Sequence, residues 1–459
     1  MRRMRILRYL GIGERNSMSK NSKVSILDIA SAFIWGLGCL LHKQIIKGLL
    51  FIIAEILIIR YIIISGIENL KLLITLGERE QTKVWNDAKC VYEYVDGDRS
   101  LVILLYGIIT VAVIILGICL LIKSVKASAV CRKLKATGKS IPGFKDDVKE
   151  LFDNNLHKSL LTLPIIGVVV FTILPLVFMM CMAFTNYSTI DNKLVLFDWV
   201  GLENFKALTN FTDSVGKTFW SVLSWTLVWA VLATFSNYFL GMGLAILINW
   251  KEVMAKKFWR FCFVLTVAVP HFVTLLIMRQ MLQPEGAVNI LLRNLGLIGP
   301  NQSLPFFTDV TWARVTVLII NIWVGVPYTL LQITGILQNI PAELYDAAKV
   351  DGASPLTTFR KITLPYMLFV TTPYLITTFT GNVNNFNVIF LTSGGAPRDI
   401  SSTAGKTDLL VTWLYKLTID NEYYNTGAVI GIATFITLAI VSLLTFNLSK
   451  SNRDEEGFR

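Results

Sequence analysis

The sequence predicts an all-α integral membrane protein, and three observations support this fold class. Hydrophobic residues make up 54% of the 459 residues and charged residues only 16%, whereas about a quarter of an ordinary soluble domain is charged. Apolar runs of about twenty residues recur along the chain, which is the length that crosses the hydrocarbon core of a bilayer. Lys and Arg concentrate in alternate loops between these runs. A soluble fold is therefore excluded.

The apolar runs predict about eight transmembrane helices, called spans 1 to 8 below. Their predicted ranges are 44–65, 101–122, 159–184, 219–249, 261–282, 312–335, 366–391 and 425–448. The residues ahead of span 1, 1–43, form a basic leader with an amphipathic piece around 26–41. The residues between spans 1 and 2 are mixed in charge and are expected to form a polar loop.

The distribution of positive charge predicts the orientation in the membrane. Eight spans place both termini on one side, and the loops on that side hold more than twice as many Lys and Arg residues as the opposite loops. Since positive loops stay on the cytoplasmic side, we expect a multi-pass protein of the plasma membrane with both termini cytoplasmic. The net charge of +12 is explained by this asymmetry, and no nucleic-acid partner is predicted.

The cytoplasmic loop between spans 6 and 7, residues 341–365, is predicted to be a folded object. Pro341 suits the first position of a helix, and the following residues are good helix formers. Gly352 is expected to end that helix in a left-handed conformation. Ser354 and Pro355 then suit the N-cap and first position of a second helix, which Leu364-Pro365 should break where span 7 begins.

The same loop resembles the EAA loop of binding-protein-dependent ABC-transporter permeases. That pattern is Glu-Ala-Ala, three residues, Gly, nine residues and Ile-x-Leu-Pro. Asp346-Ala347-Ala348, Gly352 and Ile362-Thr363-Leu364-Pro365 match it, with Asp in place of the first Glu. The resemblance implies that this EAA-type loop inserts into a groove of a cytosolic ATPase subunit. The residues implied in coupling are Glu343, Asp346, Ala347, Ala348, Asp351, Gly352, Leu364 and Pro365.

No catalytic or nucleotide-binding pattern is present in the sequence. Gly405-Lys406-Thr407 and Gly138-Lys139-Ser140 resemble the end of a phosphate-binding loop, but Ile400 and Lys133 replace its first glycine. The six cysteines and three histidines are scattered and predict no metal site. We therefore expect a transport subunit and not an enzyme. No cofactor is expected on this chain, and ATP and Mg²⁺ would be bound by a partner ATPase.

Polar residues form one stripe on span 6 and one on span 7. Thr378, Asn382 and Asn385 stand at i, i+4 and i+7, and therefore share one helix face. On span 6, the stripe consists of Asn321, Val324, Gly325 and Tyr328. Amides and hydroxyls both donate and accept hydrogen bonds, which suits sugar hydroxyls. Polar residues on spans also hold helices together, and periodicity alone leaves both interpretations open.

Three further segments resemble the larger, maltose-type permease subunit of carbohydrate ABC importers. They are IWVGVPYTLLQITGILQNIPAELYDAA, NNFNVIFLTSGGAP and AGKTDLLVTWLYKLT, and the likeness covers roughly residues 155–450. The resemblance implies a type I permease fold whose sugar-contacting residues are the two stripes. Thr378 departs from the expected Ser but keeps the hydroxyl. The loop at 185–218 is short where some maltose permeases carry an inserted domain, which puts that domain's contacts with the binding protein in doubt.

The resemblance also implies partners and an organisation of the chain. The partners are a second homologous permease, a cytosolic ABC ATPase dimer, an extracellular solute-binding lipoprotein and an oligosaccharide, with maltodextrin as the first expectation. Another plant-type or host oligosaccharide is the alternative. An ion-coupled secondary transporter is disfavoured, because spans 6 and 7 carry no acidic residue. The predicted regions are the leader 1–43, two spans with a basic loop at 44–157, a six-helix permease core at 158–450 and a tail at 451–459.

Overall fold

The computed structural model describes residues 26–448, except 88, 139, 212–213, 251 and 401. Most of the predicted leader and the whole predicted tail at 451–459 lie outside the described residues. The chain divides into two compact units, residues 1–178 and 179–459. The two units are taken separately below.

The first unit is helical apart from one hairpin. Span 1 runs through a π-helical turn at Ile62–Gly66 and continues to Thr75, ten residues beyond its predicted end. The predicted polar loop after it holds an antiparallel hairpin of β1 (Thr82–Asn86) and β2 (Val91–Val95), in which Trp85 pairs with Tyr92. The helices are Ile26–Phe33, Leu37–Leu41, Ile45–Tyr61, Ile67–Thr75, Ser100–Ala136, Phe144–Phe152 and Leu156–Val168, with a π-helical turn at Val169–Ile173.

The second unit holds the remaining spans and the EAA-type loop. Its helices, the first of which contains the boundary between the units, are Leu174–Met182, Glu203–Thr209, Ser214–Asn249, Lys256–Ala268, His271–Met281, Ala287–Asn294, Val310–Leu337, Ala342–Val350, Pro355–Thr358, Leu364–Val383, Phe386–Thr392, Leu410–Tyr415 and Tyr424–Leu448. π-helical turns lie at Phe359–Thr363 and Lys416–Asp420, and a short 3₁₀ turn at Ile190–Asn192.

The described residues confirm the predicted number of spans, with one correction. Seven helices are long and apolar enough to cross a membrane, and the candidate spans number eight when the bent pair Lys256–Ala268 and His271–Met281 is counted as one. This is span 5, which was expected to be one helix but is bent by 87°. The bend falls at Val269, whose backbone is extended (ψ 130°), because a residue that precedes a proline, here Pro270, is pushed out of the helical region.

Span 4, the helix Ser214–Asn249, is the central helix of the second unit. Trp229 and Tyr238 are among its fully buried side chains, and they belong to two apolar clusters that also contain residues of spans 6 and 7. Gly241 lets the backbones of spans 4 and 6 approach closely, since a Cβ there would lie 2.8 Å from the Cβ of Thr329. Spans 6 and 7 are therefore both packed against span 4.

Candidate functional site

The two predicted polar stripes meet between spans 6 and 7. The Asn385 amide donates to Oδ1 of Asn321 over 3.3 Å and approaches Oδ1 of Asn382 at 3.4 Å. Asn321 is buried, with 4% of its surface exposed, and Asn382 is buried as well. The structure thus brings the three asparagines into one hydrogen-bonded cluster, called the amide cluster below. Thr378 is half-buried one turn before Asn382.

The amide cluster is attached to span 4. Nδ2 of Asn382 donates to the hydroxyl of Thr234 over 3.0 Å, and its backbone carbonyl accepts from Nε1 of Trp229 over 3.1 Å. Thr234 and Trp229 were not predicted as site residues. The hydrogen bonds of Asn382 hold helices together, whereas Asn385 is only half-buried and is the more accessible of the two cluster asparagines on span 7.

A cavity of about 150 Å³ lies at the bend of span 5 and is walled by span 6. Val324 and Tyr328 of the predicted stripe line it, and Tyr328 is 45% exposed. The other lining residues are Thr266, Val269, His271, Thr274, Trp323 and Pro327. Aromatic rings and hydroxyls therefore surround this space, and the stripe on span 6 divides between the cavity wall and the buried amide cluster.

Gly325 has a structural role that was not apparent from the stripe. A Cβ at this position would overlap the side-chain amide of Asn237 on span 4. Gly325 therefore makes room for Asn237, which is 6% exposed and was missed by the sequence reasoning. A signal was present: Ala230, Ala233, Asn237 and Gly241 recur at intervals of three or four residues, a stripe of small and polar residues that is typical of closely packed spans.

The amide cluster can bind neutral polar groups. Each asparagine side chain offers donors and an acceptor, and none carries a charge. Within the residues that the structure describes, no group of three or more His, Cys, Asp and Glu side chains could hold a metal ion. The arrangement suits hydrogen bonds to hydroxyl groups and offers no nucleophile or acid–base pair.

The first helix of the EAA-type loop, Ala342–Val350, follows the predicted pattern with a shift of one residue at its start. Pro341 precedes the helix instead of occupying its first position. Gly352 ends the helix with φ at +69°, as predicted. Six of the residues implied in coupling are exposed, Leu364 is half-buried and Ala348 is buried; the exposed ones are Glu343, Asp346, Ala347, Asp351, Gly352 and Pro365.

The second helix of the loop confirms one prediction and corrects another. The Ser354 hydroxyl accepts from the backbone N–H of Thr357 at 3.2 Å, and Pro355 follows at the first helical position. The expected break at Leu364-Pro365 is wrong, because the helix continues from Pro355 into span 7. The wide turn Phe359–Thr363 lies immediately before these residues, and such a π-helical turn accommodates a proline that has no N–H to donate.

The two loop helices are joined to each other and to the ends of spans 4 and 6. The hydroxyls of Tyr345 and Thr363 lie 3.1 Å apart. A cavity of about 500 Å³ lies between the loop and the ends of the two spans, with Ile246, Trp250 and Leu337 in its wall. The hydrogen bond thus connects the first loop helix to the turn that precedes span 7.

The segment 393–420, at the other end of span 7, folds into the second unit. Asp408 accepts from Lys416 at 2.7 Å, from the Gly405 N–H at 2.7 Å and from the Thr412 hydroxyl at 2.9 Å. The Nε1 of Trp225 on span 4 donates to the carbonyl of Thr407. The residues at 405–407, which resemble the end of a phosphate-binding loop, therefore make hydrogen bonds to other residues of the protein.

Comparison with known proteins confirms the predicted family. The model of the family described as binding-protein-dependent transport system inner membrane component matches residues 237–451. The galactooligosaccharides transport permease protein GanP of Bacillus subtilis is 33% identical over 92% of this chain and 97% of its own length. The maltodextrin transport permease protein MdxF of the same organism is 34% identical over 93% and 96%. The maltose/maltodextrin permease protein MalF of Salmonella typhimurium is 37% identical over 54% of this chain and 48% of its own length.

The fold is also found among solved structures. A chain of a bacterial ABC transporter involved in the import of the acidic polysaccharide alginate superposes with a TM-score of 0.54. It is 22% identical and covers 66% of this chain and 97% of that chain, which supports the fold alone. From the family match, the two relatives that span nearly the whole chain and the shared fold, the chain belongs to the binding-protein-dependent permeases of ABC importers.

Proposed function

We propose that this chain is the permease subunit of an ABC importer that takes up oligosaccharides, with maltodextrins as the substrate. The observation that carries the proposal is the amide cluster of Asn321, Asn382 and Asn385, together with a cavity that the same span 6 walls with Tyr328. Uncharged donors and acceptors next to aromatic rings suit a neutral sugar, because hydroxyls need both hydrogen-bonding partners and pyranose faces pack on rings.

The energy for transport would come from ATP bound with Mg²⁺ in a separate ATPase dimer. The EAA-type loop would contact that dimer through its exposed residues, with Glu343, Asp346 and Asp351 presenting negative charge. The Tyr345–Thr363 contact supports the proposal, since it joins the exposed helix to span 7. Rigid-body movement of this permease against a second, homologous permease would expose the sugar site alternately to each side of the membrane.

Sugar would be delivered by an extracellular solute-binding lipoprotein. One of the structurally similar proteins, the alginate ABC transporter, was solved in complex with a pentasaccharide-bound periplasmic protein. For the present chain, the delivering surface would lie at the end of span 7 that carries the segment 393–420. The predicted orientation of the membrane spans places this segment outside the cell.

A second substrate class is favoured by one specific observation. The relatives that span nearly the whole chain are named for galactooligosaccharides and for maltodextrins, at 33% and 34% identity.

The test that separates the two substrates is uptake of labelled maltotriose by cells that carry the whole importer, competed by unlabelled maltodextrins or galactooligosaccharides. We expect maltodextrins to compete at the lower concentration, and cells that lack only this chain to lose uptake. Stronger competition by galactooligosaccharides would show that these sugars, and not maltodextrins, are the preferred substrate.

The energy source can be tested in the same cells. We expect uptake to stop when ATP is depleted and to survive a protonophore as long as ATP is maintained. The opposite pattern would indicate an ion-coupled secondary transporter. The stripes on spans 6 and 7 contain no acidic residue, which argues against that alternative because ion coupling usually uses carboxylates inside the membrane.

A further inference from the structure

Two buried amides in the second unit each leave one polar atom without a hydrogen-bond partner among the described residues. These atoms are Oδ1 of Asn237 on span 4 and Nδ2 of Asn321 on span 6. The exposed fractions of the two residues are 6% and 4%. Because buried polar groups in proteins are nearly always hydrogen-bonded, an orphaned acceptor and an orphaned donor indicate that another group binds there.

The two side chains lie close to each other along span 6, because Asn237 packs against that span and Asn321 is part of it. The Asn237 amide packs against Gly325, where a Cβ would overlap it. Asn321 lies four residues before Gly325, one helical turn away on the same face. The remaining amide oxygen of Asn321 is already occupied, since it accepts from Asn385. Asn321 thus belongs to the amide cluster and lies one helical turn from the contact between Gly325 and Asn237.

The chemistry of the two atoms selects one kind of ligand group. A hydroxyl can donate its hydrogen to Oδ1 of Asn237 and accept a hydrogen bond from Nδ2 of Asn321. An ionised carboxylate has no hydrogen to donate to Asn237, and an ammonium group has no lone pair for Asn321. An apolar group would leave both atoms unsatisfied. A sugar hydroxyl and a water molecule both meet this donor and acceptor requirement, and the cavity that span 6 walls with Val324 and Tyr328 favours the sugar.

We propose that Asn237 determines substrate specificity by forming, with Asn321, a subsite for one hydroxyl of the transported sugar. The inference rests on the proposed function and adds span 4 to a site that the sequence placed on spans 6 and 7 only. Asn237 contacts span 6 at Gly325, so its position depends on the packing of the two helices. Oδ1 of Asn237 then accepts the hydrogen of that hydroxyl, while Nδ2 of Asn321 donates to its oxygen.

The experiment combines a substitution in the protein with a substitution in the sugar. Uptake of maltose is compared with uptake of analogues that lack one hydroxyl each, in cells carrying the whole importer with wild-type chain or with Asn237→Leu, which removes the acceptor at similar size. We expect the wild type to take up one analogue about 5- to 150-fold less well than maltose. In Asn237→Leu, maltose should fall to the level of that analogue, and the penalty for the missing hydroxyl should disappear.

The control is the preceding residue on the same helix. Ser236 also has a buried hydroxyl without a partner among the described residues, but it lies about 100° around the helix from Asn237. Ser236→Ala should keep the full penalty for every analogue. The binding protein is the same in all strains, so its own preference cancels when the analogue-to-maltose uptake ratio of each variant is divided by that of the wild type.

Complex yield is measured in parallel, and where Asn237→Leu lowers it, Asn237→Ala and Asn237→Ser are measured in the same way. If every analogue keeps its wild-type penalty in the assembled variants, the inference is wrong. The two amides would then bind a structural water. A wild-type importer that takes up neither maltose nor longer maltodextrins would instead contradict the proposed function. The same comparison is then made with galactooligosaccharides and their deoxy analogues, where penalties unchanged by Asn237→Leu would overturn the inference.

Discussion

Lys416 and Asp408 form a buried ion pair in the segment 393–420, with Nζ of Lys416 2.7 Å from Oδ2 of Asp408. The Asp408 side chain has no exposed surface, and its two oxygens also accept from the Gly405 N–H and the Thr412 hydroxyl. Lys416 donates in addition to the carbonyl of Gly394. The pair therefore joins both ends of this segment to each other.

Breaking this pair should destabilise the second unit strongly. We expect Asp408→Asn to cost about 3–5 kcal/mol, because it leaves the Lys416 charge buried without its partner. The matched control is Asp399→Asn, which breaks the ion pair with Lys406 in the same segment, where Asp399 is 57% exposed. Such exposed pairs contribute about 0–1 kcal/mol. Thermal unfolding of the purified complexes checks the prediction, and equal melting temperatures for the two variants would contradict it.

The orientation of the chain can be tested at the two ends of span 2, the helix Ser100–Ala136. Cys90 precedes it and is exposed, whereas Cys131 is buried and donates to Oε1 of Gln44, so labelling of Cys131 would be uninformative. We therefore compare single-cysteine variants that carry either Cys90 or Thr137→Cys, since Thr137 is exposed. With an impermeant maleimide on intact cells, Cys90 should react and position 137 should not. The reverse pattern would place the EAA-type loop outside the cell.

Gly352, the residue with a left-handed backbone conformation in the EAA-type loop, provides a test of coupling between this loop and the ATPase. Gly352 has φ +69°, and a Cβ there would meet nothing within 4 Å in the described chain. A residue with a Cβ costs about 1–2 kcal/mol at such a position, and a carboxylate would also project from the exposed surface. We expect Gly352→Asp to leave the chain in the membrane, to weaken association with the ATPase and to abolish uptake.

The control for this variant is Gly335→Ala, near the same end of span 6. Its Cβ also meets nothing within 4 Å, and its φ is not in the left-handed region. Gly335→Ala should keep both ATPase association and uptake. The measurement is co-purification of the ATPase together with uptake at matched expression. Normal uptake by Gly352→Asp would contradict a coupling role for the loop.

The fold was largely predictable because its signals are local. Each span is an apolar run, and Gly352, Ser354 and Pro355 take the conformations that their own backbone chemistry favours. The bend of span 5 was missed although Pro270 signals it, because the residues on both sides of Pro270 are apolar enough to be interpreted as one helix. The hairpin β1–β2 was missed since its short strands alternate in a mixed-charge segment that was interpreted as a polar loop.

The candidate site was only partly predictable, because its remaining contacts depend on tertiary packing. The stripes on spans 6 and 7 follow from helical periodicity, and the structure brings their asparagines together. Asn237 meets Gly325 only once spans 4 and 6 are packed, and Thr234 becomes a partner of Asn382 in the same way. The roles of the stripe residues in sugar binding and of the EAA-type loop in coupling stay predictions.

Asn382 and Thr378 should respond differently from each other because their surroundings differ. Asn382 is buried and hydrogen-bonded to Thr234, so Asn382→Ala should lower both uptake and the thermal stability of the complex. Thr378 is half-buried, and Thr378→Ala should lower uptake more mildly without a change in stability. Uptake and melting temperature, measured on the same preparations, check this prediction. A stability loss for Thr378→Ala that equals that of Asn382→Ala would contradict it.

Asn385 and its neighbour Asn384 allow the most direct test that sugar passes the amide cluster. Asn385 is half-buried and donates to Asn321, whereas Asn384 is exposed and contacts the carbonyl of Thr380 in its own helix. The measurement is uptake of labelled maltodextrin alongside the yield of assembled complex, at matched expression. We predict that Asn385→Ala lowers uptake about 5- to 150-fold through the loss of one or two hydrogen bonds, with unchanged complex yield, and that Asn384→Ala changes neither. Uptake and complex yield falling in parallel for Asn385→Ala would contradict the site assignment and assign Asn385 a structural role, which includes accepting from the Val388 N–H at the start of the helix Phe386–Thr392.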